Sequence, residues 1–202
     1  MRWLALATIG LFLSGCSGHP SNSSPRPATT PATAATALSP DEWAALRSRP
    51  LKVEALRPGQ DCPKAAVTNP TSFTGSALGS GPAYAVGASG SLAAKELMKI
   101  LWEVSPTYLG PLVIRGHRLD ASGYLLLDAA NGNHSPLPFQ IITTVGGQDW
   151  RMNSELDFSA AGTPTGGPWR GWPSYTFAAA PGCYAWQIDG TSFSETIVAP
   201  FH

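Results

Sequence analysis

Short apolar runs separated by Gly- and Pro-rich turns recur along this chain from Leu51 to its end. Its 202 residues include 21 Gly and 19 Pro, and only 13% are charged, against about 25% in a typical soluble domain. Glycine and proline interrupt helices, whereas short strands fit between closely spaced turns. The repeated order of strand, short turn and strand therefore predicts an all-β protein built as an antiparallel sandwich.

Alternation of apolar and polar residues locates the strands. In Leu51–Ala55 the apolar residues alternate with Lys52 and Glu54, which is typical of a half-buried strand. Residues 93–97 favour a helix, yet the apolar residues of Leu97–Val104 alternate, and we predict a strand there. Further strands are predicted at Ala83–Val86, Leu112–Leu119, Tyr124–Leu127, Phe139–Val145 and Tyr175–Ala178, with turns at Asn131-Gly132 and Gly146-Gly147.

The most regular segment closes the chain. Asp189-Gly190 separates the apolar runs Cys183–Ile188 and Phe193–Val198, and Asp-Gly between two such runs is a strong hairpin signal. The run Pro181–Trp186, with its Pro-Gly-x-Tyr-x-Trp order, also resembles the closing strands of many immunoglobulin-like domains. The resemblance implies an immunoglobulin-like β-sandwich and concerns the fold alone.

A short helix is predicted just before the sandwich. Ser39 can cap it, Pro40 suits its first position, and Glu42 can reach back to complete a capping box. Pro50 ends it. Trp43, Ala44 and Leu46 are expected to lean on the domain.

The N-terminus has the layout of a secretory signal. Met1-Arg2 supplies positive charge, and Trp3–Leu13 is an apolar run too short to span a membrane. Leu13-Ser14-Gly15-Cys16 resembles the lipobox of bacterial lipoproteins, which implies cleavage before Cys16 and fatty acylation (palmitate) of that residue. The alternative is an ordinary secreted protein with a chance cysteine. We therefore predict a signal peptide at residues 1–15, a disordered tether rich in Ser, Pro, Thr and Ala at 16–38, and one domain at 39–202.

The three cysteines fit this division. With Cys16 assigned to lipid, Cys62 and Cys183 remain as an even pair outside the cytoplasm, where disulfides persist. We predict a disulfide between them. A metal or redox site is the competing interpretation, but the chain has no Cys-x-x-Cys and its four histidines share no ligand spacing. No metal and no cofactor are expected.

Motifs of catalysis are absent from the sequence. Gly87–Gly90 misses the nucleophile pattern of serine hydrolases, and Gly79–Pro82 does not continue as a phosphate-binding loop. Glu155 and Asp157 would share one face of a strand, where a solvated surface explains them better than a glycosidase pair. We predict a protein without catalytic residues. The alternative is an envelope-acting hydrolase that combines His117 with scattered carboxylates, namely Asp120, Asp128, Asp149, Glu155 and Asp157.

Three residues in a Gly- and Pro-rich stretch are the candidate ligand-binding residues. Trp169 and Trp172 on a loop could offer flat apolar faces to sugar rings, with Arg170 between them for a cation-π contact or an anion. The same indoles could equally fold back and close one end of the sandwich.

Several islands resemble an uncharacterised family of exported bacterial proteins and lipoproteins. They are Cys62-Pro63, Lys99–Trp102, Gly110–Asp120 and Pro181–Trp186. The family implies a disulfide-closed β domain and supplies no catalytic residues.

Thirteen Lys and Arg balance thirteen Asp and Glu without a basic block, which disfavours binding to nucleic acid. We therefore predict a binding or structural module, lipid-anchored on the extracytoplasmic face of the bacterial cell membrane, with an envelope glycan or protein as its partner.

Overall fold

The computed structural model describes residues 37–71, 74–129, 141–159 and 162–202. The predicted signal peptide, Cys16, most of the tether and the Asn131-Gly132 turn lie outside these ranges. Within them the chain forms one short helix and thirteen strands. The helix is α1 (Pro40–Arg47), and the strands are β1 (Val67–Thr68), β2 (Ala77–Leu78), β3 (Ala83–Val86), β4 (Met98–Val104), β5 (Leu112–Arg118), β6 (Leu125–Ala129), β7 (Ile141–Val145), β8 (Gln148–Met152), β9 (Glu155–Phe158), β10 (Thr163–Gly166), β11 (Trp169–Ala178), β12 (Gly182–Gly190) and β13 (Phe193–Phe201).

The strands form three antiparallel sheets. The large sheet has the order β1-β2-β3-β4-β11-β10, and β6 also pairs with β11. The small sheet has the order β13-β12-β5-β9, and β7 and β8 form a separate hairpin. The prediction of an all-β, antiparallel protein with a short N-terminal helix is confirmed.

The large and small sheets share one hydrophobic core. Trp102 on β4 and Trp186 on β12 are fully buried, and their rings meet edge to face at 5.8 Å. The Trp102 indole N–H donates to Ser174 Oγ at 2.9 Å, so its polar group is satisfied inside the core. The contact between the Trp102 and Trp186 rings joins the inner faces of the two sheets.

Alternation located the central strands correctly. The predicted strand Leu97–Val104, next to residues that favour a helix, is strand β4. Its Ile100, Trp102 and Val104 side chains point into the core with no exposed surface. β5 also follows its prediction to within one residue. β7 follows its prediction over Ile141–Val145, and Gly146-Gly147 forms the turn after it.

The predicted strand Leu51–Ala55 is wrong. This segment crosses the outer face of the small sheet, where the Lys52 backbone N–H donates to the Gln187 side chain at 2.9 Å. β12 below it already pairs with β5 on one side and with β13 on the other. A segment lying across the middle of a paired sheet has no free strand edge to join, so it forms no ladder and bends at Lys52 and Val53.

The last hairpin forms, but its turn lies two residues beyond the predicted one. Asp189 and Gly190 still belong to β12, Gly190 pairs with Phe193, and Thr191-Ser192 forms the turn. A Cβ atom on Gly190 would lie 2.3 Å from the Phe193 ring. This glycine is therefore required by side-chain packing and not by the turn.

Helix α1 begins a segment, residues 40–62, that we call the strap because it runs over the outer face of the small sheet. Ser39 caps the helix and Glu42 completes the predicted capping box. Leu46 is buried, and the Leu56 backbone N–H donates to the Leu119 carbonyl at 2.7 Å. The strap ends at Cys62, close to the start of β12.

Candidate functional site

The predicted disulfide is present. Cys62 at the end of the strap is bonded to Cys183 in β12, with their Cα atoms 5.4 Å apart. Leu119, Ala185, Val53 and Leu56 pack around it. The bridge closes a separation of 121 residues and fastens the end of the strap to the small sheet.

The candidate ligand-binding residues lie on a strand, so the prediction of a loop is wrong. Arg170 and Trp172 pair with β4, and Trp169 pairs with β10. Trp172 is only 3% exposed and stacks on Phe158 with 5.5 Å between ring centroids. It has no exposed face for a ligand, because the strand register turns it into the core.

Arg170 is engaged with protein carbonyls. Its guanidinium donates to the backbone oxygens of Tyr108 at 2.6 Å and Leu109 at 3.2 Å, and it lies 5.2 Å from the Trp172 ring centroid. These contacts fasten the loop between β4 and β5. The Arg170 guanidinium therefore holds the loop between β4 and β5 in place and is not directed at a ligand.

Trp169 is half-buried, and its ring lies 6.0 Å from that of Tyr84 on β3. Of the three candidates, it alone keeps a partly exposed aromatic surface beside another ring.

Tyr84 borders a groove where three loops meet at one end of the two sheets. The loops are residues 79–82 between β2 and β3, residues 105–111 between β4 and β5, and the turn 191–192. The groove has a volume of about 420 Å³ and is shallow. We call it the end groove. It is lined by Ser80, Gly81, Pro82, Tyr84, Ser105, Thr107, Tyr108, Ser192 and Phe193.

Hydrogen bonds join the three loops. The Ser105 backbone N–H donates to the Pro82 carbonyl at 2.9 Å, which links the first loop to the second. The buried Tyr108 hydroxyl donates to the Pro111 carbonyl and accepts from the Thr191 backbone N–H at 2.9 Å, which links the second loop to the third. The Tyr108 ring meets Phe193 edge to face at 4.9 Å.

A buried carboxylate holds the first loop. Glu195 on β13 accepts from the Ser80 backbone N–H at 2.6 Å, from the Ser80 hydroxyl at 3.1 Å and from the Gly81 backbone N–H at 3.1 Å. Burial raises the pKa of Glu195 above its ordinary value, and these hydrogen bonds oppose the rise. Gly81 has φ +93°, and a Cβ atom there would lie 2.4 Å from the Tyr84 hydroxyl. A glycine is therefore required where Tyr84 crosses the loop.

We expect the stability of the wild type relative to a Glu195→Gln variant to increase as the pH falls from 7 to 5. The pKa of Glu195 is raised on folding, so between its ordinary value of 4.5 and the raised value the folded protein binds more protons than the unfolded chain. Stability from this group is therefore lost as pH rises through that window. The glutamine carbonyl can accept the same backbone hydrogen bonds but does not titrate. Urea unfolding of both proteins at the two pH values measures the difference, and a pH-independent difference would contradict the assignment.

Sequence reasoning missed the residues of the end groove. Gly79–Pro82 has only an incomplete phosphate-binding pattern, and no local motif marks Tyr84 or Tyr108 as binding residues. The groove depends on contacts between loops 20 to 110 residues apart, which no local motif records. The cis peptide between Gly81 and Pro82 is also unmarked by the pattern.

His117 and Asp120 do not form a dyad. His117 lies on β5, where its buried Nε2 has no hydrogen-bond partner among the described residues, and burial lowers its pKa. Asp120 is paired with Arg118, whose Nε lies 2.7 Å from Oδ1. Asp149 accepts a hydrogen bond from Thr144. Asp120 and Asp149 are therefore bonded to other side chains and not to His117.

Glu155 and Asp157 do share one face of β9, but that face is not solvated. Arg47 of α1 pairs with both carboxylates, with its Nε 3.1 Å from Glu155 Oε1, and Asp157 is fully buried. The interpretation as a solvated face is wrong because the strap covers this edge of the small sheet. Burial raises the pKa of Glu155, and the neighbouring Asp157 charge adds to the rise.

A second group of charges lies beside the first under the strap. Asp189 is fully buried and accepts from Arg115 at 2.6 Å and from Gln187 at 3.0 Å, with Arg49 at 3.8 Å. Arg115 also donates to the Arg47 and Arg49 carbonyls at 2.9 and 2.7 Å. We call these charged residues the strap cluster: Arg47, Arg49, Arg115, Glu155, Asp157 and Asp189.

In the described residues, no group of three or more His, Cys, Asp and Glu side chains is placed to hold a metal ion. No helix in the same ranges is long and apolar enough to cross a membrane.

Comparisons with known proteins return little. No family model matches the chain, and no curated protein matches it. The chain is similar in structure to a protein described as a "putative lipoprotein" from Bacillus anthracis, with 9% identity, a TM-score of 0.40 and coverage of 72% of this chain and 89% of that one. A likeness at this level decides neither the fold nor the function. The family resemblance drawn from the sequence stays a prediction.

Proposed function

We propose that this protein is a lipid-anchored module of the bacterial cell envelope that binds a partner through the end groove and performs no catalysis. The observation that carries the anchor is Leu13-Ser14-Gly15-Cys16, placed after a positively charged start and a short apolar run. Acyl chains on Cys16 hold the protein at the extracytoplasmic face of the membrane. The Ser-, Pro-, Thr- and Ala-rich tether then sets the distance between membrane and domain.

The strap supports this arrangement because it is where a tether enters the domain. Residues 40–62 are fixed to the small sheet by the strap cluster around Arg47 and Arg49 and by the Cys62–Cys183 bridge at the far end. Tension applied through a tether would therefore be carried by buried ion pairs and a covalent bond. A domain attached in this way keeps its folded core isolated from movements of its anchor.

An immunoglobulin-like topology belongs to the same proposal. The Tyr184 hydroxyl donates to the Ala180 carbonyl at 2.8 Å, four residues upstream, at the start of the penultimate strand. A tyrosine that bonds back to its own corner is a recurring feature of immunoglobulin-like sandwiches. Modules of this kind commonly bind ligands with loops gathered at one end of the sheets, and the end groove is formed by loops in such a position.

Changing Cys16 to Ser should release the protein from the membrane, because the thioether can no longer form. We expect the wild type in the membrane fraction with an acylated N-terminal cysteine by intact mass, and the variant without acyl chains in the soluble fraction. A Ser23→Ala variant in the tether is the matched control and should fractionate as the wild type does. Retention of an unmodified Cys16→Ser protein in the membrane would contradict the anchor.

A further inference from the structure

We propose that the end groove is a binding subsite for neutral carbohydrate, with the Tyr84 ring as its stacking platform. This inference rests on the proposed binding function and names its ligand class. The Trp169 ring lies 6.0 Å from the Tyr84 ring, just outside the lining of the groove. Ser80, Ser105, Thr107 and Ser192 supply hydroxyl groups around the platform.

The chemistry of the lining selects a neutral, hydroxyl-rich ligand. None of the nine lining residues carries a formal charge. Their polar groups are hydroxyls, which both donate and accept hydrogen bonds, as sugar hydroxyls do. The rings of Tyr84 and Phe193 and the Pro82 ring offer apolar surface to the C–H faces of a pyranose. A charged ligand would find no counter-charge in this lining.

The shape of the groove fits the same class of ligand. Its volume of about 420 Å³ lies within the range of small-molecule sites. Because it is shallow and open to solvent, it cannot bury most of an apolar ligand, and such a ligand would gain little there. A sugar leaves much of its polar surface in water and needs only one face against the protein.

The groove is held in shape from behind. Glu195 fixes the loop of Ser80, and Arg170 fixes the backbone of the loop that carries Tyr108. The Tyr108 hydroxyl joins that loop to the turn at Thr191. Both charged residues are thus used for bracing and do not line the groove. Loops fixed in this way lose little conformational entropy when a ligand binds. This favours the binding of polar ligands whose individual contacts are weak.

Two hydroxyls near the platform are already aligned. Ser105 Oγ and Thr107 Oγ1 lie 3.0 Å apart, and Ser105 Oγ also accepts from the Thr107 backbone N–H at 3.3 Å. Thr107 is exposed, so its hydroxyl can reach a ligand while Ser105 orients it. A ring stacked on Tyr84 beside oriented hydroxyls is the arrangement that a sugar requires.

The test uses the full-length acylated protein in a detergent without a sugar head group. It is applied to an array of neutral oligosaccharides built from glucose, mannose, galactose, arabinose and N-acetylglucosamine, and of anionic uronic-acid and sulfated oligosaccharides. Calorimetry then measures the affinity of the best neutral binder. Tyr84→Ala should weaken that affinity at least about tenfold, because the stacking platform is gone. Tyr84→Phe keeps the ring and should stay within about threefold of the wild type.

Tyr124→Ala is the matched control. Tyr124 is 56% exposed and follows β5, at the opposite end of the strand from the loop that carries Tyr108, so its loss should not change the affinity. Circular dichroism and thermal unfolding establish that each variant is folded.

Other outcomes overturn the inference. Absence of binding to any neutral oligosaccharide, binding to anionic ones alone, or equal affinity in folded Tyr84→Ala protein would each refute it. If the wild type captures an envelope protein and Tyr84→Ala does not, the groove binds protein and the carbohydrate class is wrong. Membrane release by Cys16→Ser is measured separately, so the anchor can stand when the ligand class fails.

Discussion

Replacing Asp189 with Ala is expected to lower the free energy of unfolding by about 3–5 kcal/mol. The Asp189 carboxylate is fully buried under the strap and is the buried partner of Arg115, which lies at 2.6 Å and is itself nearly buried. Removing the carboxylate leaves the nearly buried Arg115 guanidinium without the carboxylate to which it donates. For a domain of this size the loss corresponds to a decrease in Tm on the order of 10 °C. Urea and thermal unfolding, followed by tryptophan fluorescence, measure it.

Asp120→Ala is the control for this prediction. Asp120 also pairs with an arginine, at 2.7 Å from Arg118, but its side chain is 35% exposed. An exposed ion pair contributes at most about 1 kcal/mol, so Asp120→Ala should have a small effect. Equal effects of the two substitutions would mean that the strap cluster lies in a solvated environment and that the strap does not seal it.

A double-mutant cycle separates the ion pair from the rest of the cluster. Asp189→Ala combined with Arg115→Met should cost much less than the sum of the two single changes, because the second substitution removes the charge that the first leaves buried. Arg115 also binds the carbonyls of Arg47 and Arg49, so each single variant should loosen the strap as well. Faster proteolysis between Arg47 and Lys52 would report that loosening. Additive costs would contradict a direct pair.

The parts of the fold that could be predicted are those that depend on residues close together in the sequence. Alternation found β4 and β5, because each has one face in a core shared by two sheets. The capping box found the start of α1, because all of its partners lie within four residues. The same alternation failed at Leu51–Ala55. Alternation of apolar and polar residues indicates only that one side of a segment is buried. The strap has a buried side because it lies on the small sheet, although it is not a strand.

The candidate site was harder to predict because its residues come from loops distant in sequence. Trp169 and Trp172 lie three apart in a Gly- and Pro-rich run, which favours a loop. Pairing with β4 overrides that preference, buries Trp172 and leaves Trp169 beside Tyr84. The buried acids Asp157 and Asp189 gave no signal either. A carboxylate is usually a surface residue, and these two are tolerated in the interior because Arg47 pairs with Asp157 and Arg115 pairs with Asp189.

The number of cysteines predicted the disulfide correctly. It paired Cys62 with Cys183 across 121 residues without any structural input, because two remaining cysteines allow only one bridge. Its premise, lipid on Cys16, lies outside the described residues and remains a prediction.

Replacing both Cys62 and Cys183 with Ser is expected to lower the free energy of unfolding by about 2–5 kcal/mol. In the chain-entropy model a loop of this length places the loss near the upper end of that range, because the unfolded chain gains the most freedom when a long loop is opened. Cys183 is only 3% exposed, so the serine hydroxyl that replaces its sulfur is also buried in an apolar surrounding of Leu119 and Ala185. Urea unfolding of the variant against the wild type measures the loss. Cys16→Ser is the control, since it removes a cysteine without touching the bridge.

The bridge and the strap cluster hold the same segment, and this makes their combination informative. With the disulfide intact, loss of Asp189 frees the strap around Arg49 but not its end at Cys62. With the disulfide also removed, the strap is free to leave the small sheet, which exposes Leu46 and the apolar surface around Leu119. We therefore expect the triple variant to lose more stability than the sum of the two separate changes. Simple additivity would mean that the strap is fixed at each point independently. Alkylation of Cys62 or Cys183 in the folded, unreduced wild type would refute the bridge itself.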